Sequence, residues 1–390
     1  MSQAAAAAVA AMREGRLHDA RALLEDAVRR EPGEIALWLN LAGACRALAD
    51  YPAAFSALES ALRVDPRSFQ ALLMKASLVE RSGDMVQAAI GYGLALTQAP
   101  PPERLDPATR RAHDHAKAVH DDYTSRLRAH LADAIAGAHA PLARSEEARR
   151  INGFIEHAVG RRRIYSQQPS SFYYPGLPAI DFYPRDFFPW IAAVEAEVPA
   201  IGRELADILM DGQERGFRPY VDYADSLPLD QWAELNRSPR WNAFHLEADG
   251  KPVEANCIRA PNTLAAIGRA DRADLPGRSP ASMFSTLKPH TRIPPHTGVS
   301  NTRLVAHLAL VIPPGCGFRV GGETRPWTPG EVFVFDDTLE HEAWNDSDLP
   351  RTVLIFDVWS PLLSPVERDL IRRVTAAADS FNGPPVAGGL

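Results

Sequence analysis

His296 in a Pro-Pro-His-Thr-Gly turn, Arg303 at the head of an apolar run, His341 after a second apolar run, and Arg351 ten residues further on are the residues of this chain best suited to chemistry. Two neutral imidazoles on adjacent loops of a small barrel can hold a divalent transition metal, and imidazole suits iron, copper, nickel and zinc alike. Strand-borne arginines beside them can grip the carboxylates of a diacid, because the planar guanidinium matches a carboxylate bidentately. The usual non-haem iron triad adds a carboxylate to two histidines. The position for it, two residues after the first histidine, is Gly298, which has no side chain to ligate with. Asp337, four residues before His341, is the acid that stands nearest in sequence. A zinc hydrolase is disfavoured, since the chain has no His-Glu-x-x-His and no third nitrogen or sulfur ligand in view.

These residues need a rigid frame, and the surrounding pattern predicts one. Short apolar runs between Pro and Gly turns predict strands at Ser282–Leu287 and over 302–311, 317–320, 331–335 and 352–359. In TRLVAHLALV, Leu304, Ala306, Leu308 and Leu310 face one way, while Arg303, Val305, His307 and Ala309 face the other. An interior carrying both an arginine and a histidine must be wet or filled by a ligand, because an unpaired buried charge is too costly. Residues 187–209 predict one amphipathic helix that Pro199 kinks or splits.

The first hundred residues repeat with a period of 34. Pro32, Pro66 and Pro100 keep that spacing, as do Ala20, Ala54 and Ala88; Ala27, Ala61 and Ala95; and Gly15, Ala49 and Gly83. Small residues recur where antiparallel helices approach closely, and proline recurs where a helix must stop. The pattern resembles about two and a half tetratricopeptide repeats, whose curved arrays dock peptides or other proteins. Residues 106–138 and 145–160 read as further helices, with His113, His115 and His120 on a solvated face. The basic run 161–163 reads as a charge cluster at a helix C-terminus, and the Pro-, Ser- and aromatic-rich stretch 161–180 marks a boundary. The expected organisation is helical repeats over 1–105, a helical connector over 106–165 and a barrel over 166–390.

A net charge of −7 gives no pull towards nucleic acid. Three widely spaced cysteines fit neither a disulfide framework nor a Cys-x-x-Cys zinc site, and point to a reducing, cytoplasmic setting. The Ala-rich N-terminus lacks a basic leader and reads as a first helix. No run approaches the length of a membrane span.

The runs PHTGVSNTRLVAHL and FDDTLEHEAWN, with Arg351 before TVLIFDVWSP, resemble the aspartyl/asparaginyl β-hydroxylase family of Fe(II)- and 2-oxoglutarate-dependent oxygenases, over about residues 173–373. The repeats resemble the helical repeats that precede the catalytic domain in many members. The resemblance implies an α+β chain, with an α-helical repeat array followed by a double-stranded β-helix (a cupin-like jelly roll). It implies an iron held by only two histidines, so that Gly298 is expected. His296 and His341 match the metal ligands. Ser285 and Arg351 match the pair holding the distal carboxylate of 2-oxoglutarate, and His307 the residue at its C1 carboxylate. Asp337 matches an acid that hydrogen-bonds metal-bound water, and Arg303 an arginine engaging the substrate carboxylate. The implied activity is a dioxygenase that uses Fe(II), 2-oxoglutarate and O2 to hydroxylate an aspartyl or asparaginyl residue of a peptide or protein. One departure bears on the substrate: the animal enzymes carry a second arginine where this chain has Val305. Two other readings follow from the residues: a repeat scaffold with an idle barrel, and a hydroxylase of small molecules or free amino acids.

Overall fold

The computed structural model describes residues 3–142, 145–210, 215–224, 226 and 228–382. The chain divides into two compact units, Met1–Arg161 and Arg162–Leu390.

In the first unit, three helical hairpins follow one another: α1 (Gln3–Arg13) with α2 (Leu17–Arg30), α3 (Ile35–Ala47) with α4 (Tyr51–Val64), and α5 (Phe69–Arg81) with α6 (Met85–Leu96). The array is thus three full repeats, not two and a half. The alanine columns lie at the helix contacts: Ala20, Ala54, Ala88, Ala61 and Ala95 are fully buried and Ala27 nearly so. The column Gly15, Ala49, Gly83 has a conformational cause. All three sit between the two helices of a hairpin in the left-handed region, with φ of 75°, 58° and 91°, where glycine is at home and alanine is strained. Asp50, Ser68 and Asp84 cap α4, α5 and α6 by accepting backbone N–H bonds. The helices α7 (Pro107–His139) and α8 (Glu146–Ala158) complete the unit.

Of the three histidines of α7, His115 is exposed as expected, whereas His113 and His120 are half-buried, and two of the three have partners on the preceding hairpin. His115 Nε2 lies 2.9 Å from the Glu80 carboxylate, and His120 Nδ1 donates to the Ala89 carbonyl at 3.0 Å. A Cβ on Gly93 would meet the His120 ring at 2.4 Å, so that glycine lets α7 seat against α6. These side chains dock a helix, a role hidden from a sequence window that contains only α7.

The second unit begins with extended chain and two helices, Ile191–Glu195 and Val198–Met210. The predicted single helix is split as expected, with Pro199 in the first turn of the second piece, where its missing N–H costs nothing. Eleven strands follow among the described residues: β1 (Phe217–Pro219), β2 (Trp241–Ala248), β3 (Lys251–Pro252), β4 (Ser282–Leu287), β5 (Thr291–His296), β6 (Arg303–Val311), β7 (Cys316–Val320), β8 (Glu323–Arg325), β9 (Val332–Phe335), β10 (His341–Asn345) and β11 (Arg351–Trp359). They form two antiparallel sheets. One runs β1-β2-β4-β11-β6-β9 with β3 beside β2, and the other β5-β10-β7-β8. Leu304, Ala306, Leu308, Leu354 and Phe356 pack against Ile201, Leu205 and Ile208 of the helical layer. The opposite face supplies Leu287, Ala309 and Val353, which meet Ile293, Phe318 and Ala343 of the smaller sheet. The chain is a helical repeat array followed by a jelly-roll barrel. No helix among the described residues is long and apolar enough to cross a membrane.

Candidate active site

The strand β6 obeys its predicted alternation, so Arg303 and His307 point into the space between the sheets. The register carries the rest of the face. Ile355 lies opposite His307, Trp359 opposite Arg303, Val353 opposite Ser285, and Arg351 opposite Leu287. Arg303, His307, Ser285 and Arg351 therefore share the inner face of three neighbouring strands.

The two histidines come from the smaller sheet. His296 is not in a turn: it ends β5, and His341 begins β10, directly opposite it. The prolines 294 and 295 concealed this strand. They are tolerated because β5 is an edge strand whose proline nitrogens owe no ladder bond. Ile293 and His296 are three residues apart, so a regular strand would send them to opposite faces. The register shift between His341 and Ala343 removes that conflict. The imidazole centroids stand 4.0 Å apart, with 50° between the ring planes. His296 Nδ1 donates to the Pro294 carbonyl at 2.8 Å and His341 Nδ1 to the Leu339 carbonyl at 3.0 Å. A carbonyl can only accept, so the proton of each neutral ring is on Nδ1 and each Nε2 keeps a free lone pair. Burial pulls His341 down to about 4 despite its bond to Leu339, and lowers His296 well below the usual histidine range, with His341 adding to the effect. Both rings are neutral donors near pH 7, the form a metal requires. Among the described residues no group of three or more His, Cys, Asp or Glu side chains converges on one point.

Gly298 and Asp337 are neighbours in space. The Gly298 N–H donates to the Asp337 carbonyl at 2.7 Å, and a Cβ on Gly298 would lie 2.1 Å from Asp337 Oδ2. The place of the triad carboxylate is thus filled by another residue's acid. Asp337 Oδ2 is 3.1 Å from Arg303 Nη2, with Asp337 buried and Arg303 largely so, and Oδ1 has no partner among the described residues. Burial opposes the charge on Arg303, but Asp337, Asp357 and Tyr220 more than offset it, so its pKa is raised. The sequence placed Arg303 on the correct face but did not reveal this ion pair.

Arg351 has a different setting. It is 1% exposed, it pairs with no carboxylate among the described residues, and its Nε is unsatisfied. Its guanidinium lies 4.6 Å from the centre of the Trp327 ring. Burial pulls it down to about 10. His307 shares this corner, ringed by Phe318, Trp327, Phe333 and Phe335 with centroids 5.0–6.2 Å away. Its Nδ1 and the Trp327 Nε1 also lack partners. Burial, then the Arg351 charge, hold His307 well below the usual histidine range. Ser285 Oγ accepts from Trp241 Nε1 at 3.0 Å, which leaves its own proton to give. A buried cation, an unpaired imidazole and a free hydroxyl proton form an anion cradle that a carboxylate would complete.

Sequence reasoning passed over Trp241, Trp327 and Trp232. The first orients Ser285, the second lies under Arg351, and the third stands edge-on to His296 at 5.1 Å. An isolated tryptophan carries no positional signal of such a role.

Comparisons with known proteins give a match within each of the two units. A family model described as aspartyl/asparaginyl beta-hydroxylase matches residues 195–361, and a tetratricopeptide repeat model matches 11–78. The chain is 39% identical to mouse aspartyl/asparaginyl beta-hydroxylase over 149 residues, which is 38% of this chain and 20% of that protein. It is 34% identical to the ornithine lipid ester-linked acyl 2-hydroxylase of Rhizobium tropici, covering 47% of this chain and 62% of that one. Human aspartate beta-hydroxylase domain-containing protein 2 is 30% identical over 53% of this chain and 54% of its own length. The chain thus spans a fifth to under two thirds of these relatives. Residues 195–361 thus resemble the aspartyl/asparaginyl β-hydroxylase family, on a chain whose residues 11–78 resemble tetratricopeptide repeats.

Proposed function

We propose that the barrel is an Fe(II)- and 2-oxoglutarate-dependent dioxygenase that hydroxylates an aspartyl- or asparaginyl-type residue of a polypeptide, with the repeats as docking surface for that polypeptide. The observation that carries this reading is Arg351, a buried guanidinium with no anion beside it among the described residues. An unpaired buried charge is expensive, and a dicarboxylate in the cradle would remove the cost. Iron bound with 2-oxoglutarate and dioxygen would supply oxidation of an unactivated C–H bond. The chain does the rest. His296 and His341 present Nε2 lone pairs fixed by their Nδ1–H bonds. Arg351 and Ser285 would hold the distal carboxylate of 2-oxoglutarate, and His307 would face its C1 end. Asp337, held by Arg303 and the Gly298 loop, has Oδ1 free to accept a hydrogen bond from a bound water. The aromatic wall of Phe318, Phe333 and Phe335 keeps bulk water out. A cytoplasmic location is proposed with this reading.

Anaerobic titration of the full chain with Fe(II) and 2-oxoglutarate tests it. The visible absorption band of the metal–ketoacid chelate should appear, and should be lost in His296→Ala and His341→Ala variants that remain folded. If no band forms, or either variant retains it, this ligand set is wrong. The Rhizobium relative favours a second reading, hydroxylation of an acyl chain; oxygen transfer to lipid and not to peptide would select it.

A further inference from the structure

The inference rests on the peptide reading above and concerns which side chain the site accepts. Beside His296 opens a cavity of about 450 Å³, lined by Gln168, Ser170, Gln231, Thr297 and Glu340 over the ring of Trp232, among others. Among the described lining residues there is no lysine or arginine. The two arginines of the sheet's inner face are accounted for differently. Arg351 lies in the corner proposed for 2-oxoglutarate, and Arg303 is closed by Asp337 at 3.1 Å. Two residues along the same face from Arg303 is Val305, which is apolar. A carboxylate entering this cavity would meet no free cation among the described lining residues. Beside the hydroxyls of Ser170 and Thr297, the rim presents two acceptors. Gln231 Nε2 is spent on the Pro295 carbonyl at 2.9 Å, so its Oε1 remains to accept, and Glu340 is acceptor-only when ionised. Arg319 sits 2.8 Å from Glu340 and also pairs with Glu342, so it is not free for a substrate anion. An asparagine amide brings two N–H donors to such a rim, whereas an aspartate brings none.

We propose that the site selects an asparaginyl side chain and refuses an aspartyl one, because Asp337 already occupies Arg303.

The test uses the full chain with Fe(II) and 2-oxoglutarate, and two synthetic peptide pools with randomised flanks and a fixed central Asn or Asp. Mass spectrometry follows addition of one oxygen. The Asn pool should be oxidised at least about tenfold faster, since a polar site strongly rejects an analogue that cannot make its hydrogen bonds. Equal rates, or faster oxidation of the Asp pool, overturn the inference while leaving the peptide reading intact. Silence of both pools overturns the peptide reading, and the inference with it. A readout without turnover is retention of the same pools on immobilised protein loaded with Mn(II) and 2-oxoglutarate. There the Asn pool should be retained more strongly. The change Asp337→Asn, which removes the charge beside Arg303, should move retention towards the Asp pool, and Val305→Arg should do the same. If neither variant moves the ratio, Arg303 and its partner do not decide the choice.

Discussion

At the residue scale, the site is defined by polar groups that are satisfied and polar groups that are not. Arg303 and Arg351 lie on adjacent strands of one face, yet among the described residues one has an acid and the other has none. This separates stability from function at position 351. Replacing an uncompensated buried guanidinium by an apolar side chain of similar length should stabilise the ligand-free protein by about 1–3 kcal/mol. Arg351→Met should therefore melt higher than the parent in urea, yet lose the stabilisation that 2-oxoglutarate confers on the parent. A variant that is less stable and still protected by 2-oxoglutarate would put the anchor elsewhere. The histidines set a pH dependence. His341 titrates near 4 in the fold against about 6.5 in an unfolded chain. Between those values the unfolded state binds more protons, so stability falls as pH drops from about 6.5 to 4 and is undiminished above that window. For His341 alone the loss is on the order of 3 kcal/mol. Six of the seven tryptophans lie beyond residue 161, so tryptophan fluorescence during urea unfolding of metal-free protein reports on the barrel. His341→Gln should flatten the acid limb, and an unchanged slope would mean the ring is solvated.

At the element scale, regular pieces were readable and irregular ones were not. The predicted strand Ser282–Leu287 matches β4, and the alternation of β6 and the break at Pro199 were also legible, because period and proline sterics are local. The strands β5 and β10, which carry the histidines, were not legible. One contains two prolines and an irregular register; the other is only five residues long, and although its burial alternates, its sequence HEAWN does not alternate apolar with polar. In the repeats, Ala49 occupies a left-handed turn that Gly15 and Gly83 occupy in their hairpins. Ala49→Gly should relieve that strain and stabilise the first unit by about 0.5–1 kcal/mol, net of the extra freedom glycine gains when unfolded. Thermal melts followed by helical circular dichroism check it; a lower midpoint would mean the turn tolerates alanine without cost.

At the scale of the whole molecule, the stretch after Arg161 belongs to the barrel. Gln167 Nε2 donates to Asp336, the Gln168 N–H to the Thr338 carbonyl at 2.8 Å, and the Ser170 N–H to the Gly298 carbonyl at 3.0 Å. Arg162 is bound to Asp181. A fragment starting at Arg162 should keep Fe(II) and 2-oxoglutarate binding but lose most hydroxylation of a polypeptide substrate. One starting at Ser170 should bind both more weakly, since it lacks the pins at 162, 167 and 168. Isothermal titration of the two fragments compares them. Equal affinities would show that the segment is dispensable, and full polypeptide turnover by the longer fragment would show that the repeats do not present substrate.

Taken alone, the sequence determined the repeat period, the two-part order of helices then strands, the inward face of β6, and the family-like runs around His296 and His341. Each depends on residues close together in the chain or on a repeated spacing. Only the tertiary structure decided that His296 lies on a strand opposite His341, that Gly298 leaves room for Asp337, that Asp337 closes Arg303, and that Arg351 stands alone over Trp327. Those facts concern pairing between groups from distant segments. A buried charge is set by whichever neighbour the fold brings within a few ångströms, and no local pattern in a chain records that neighbour's absence.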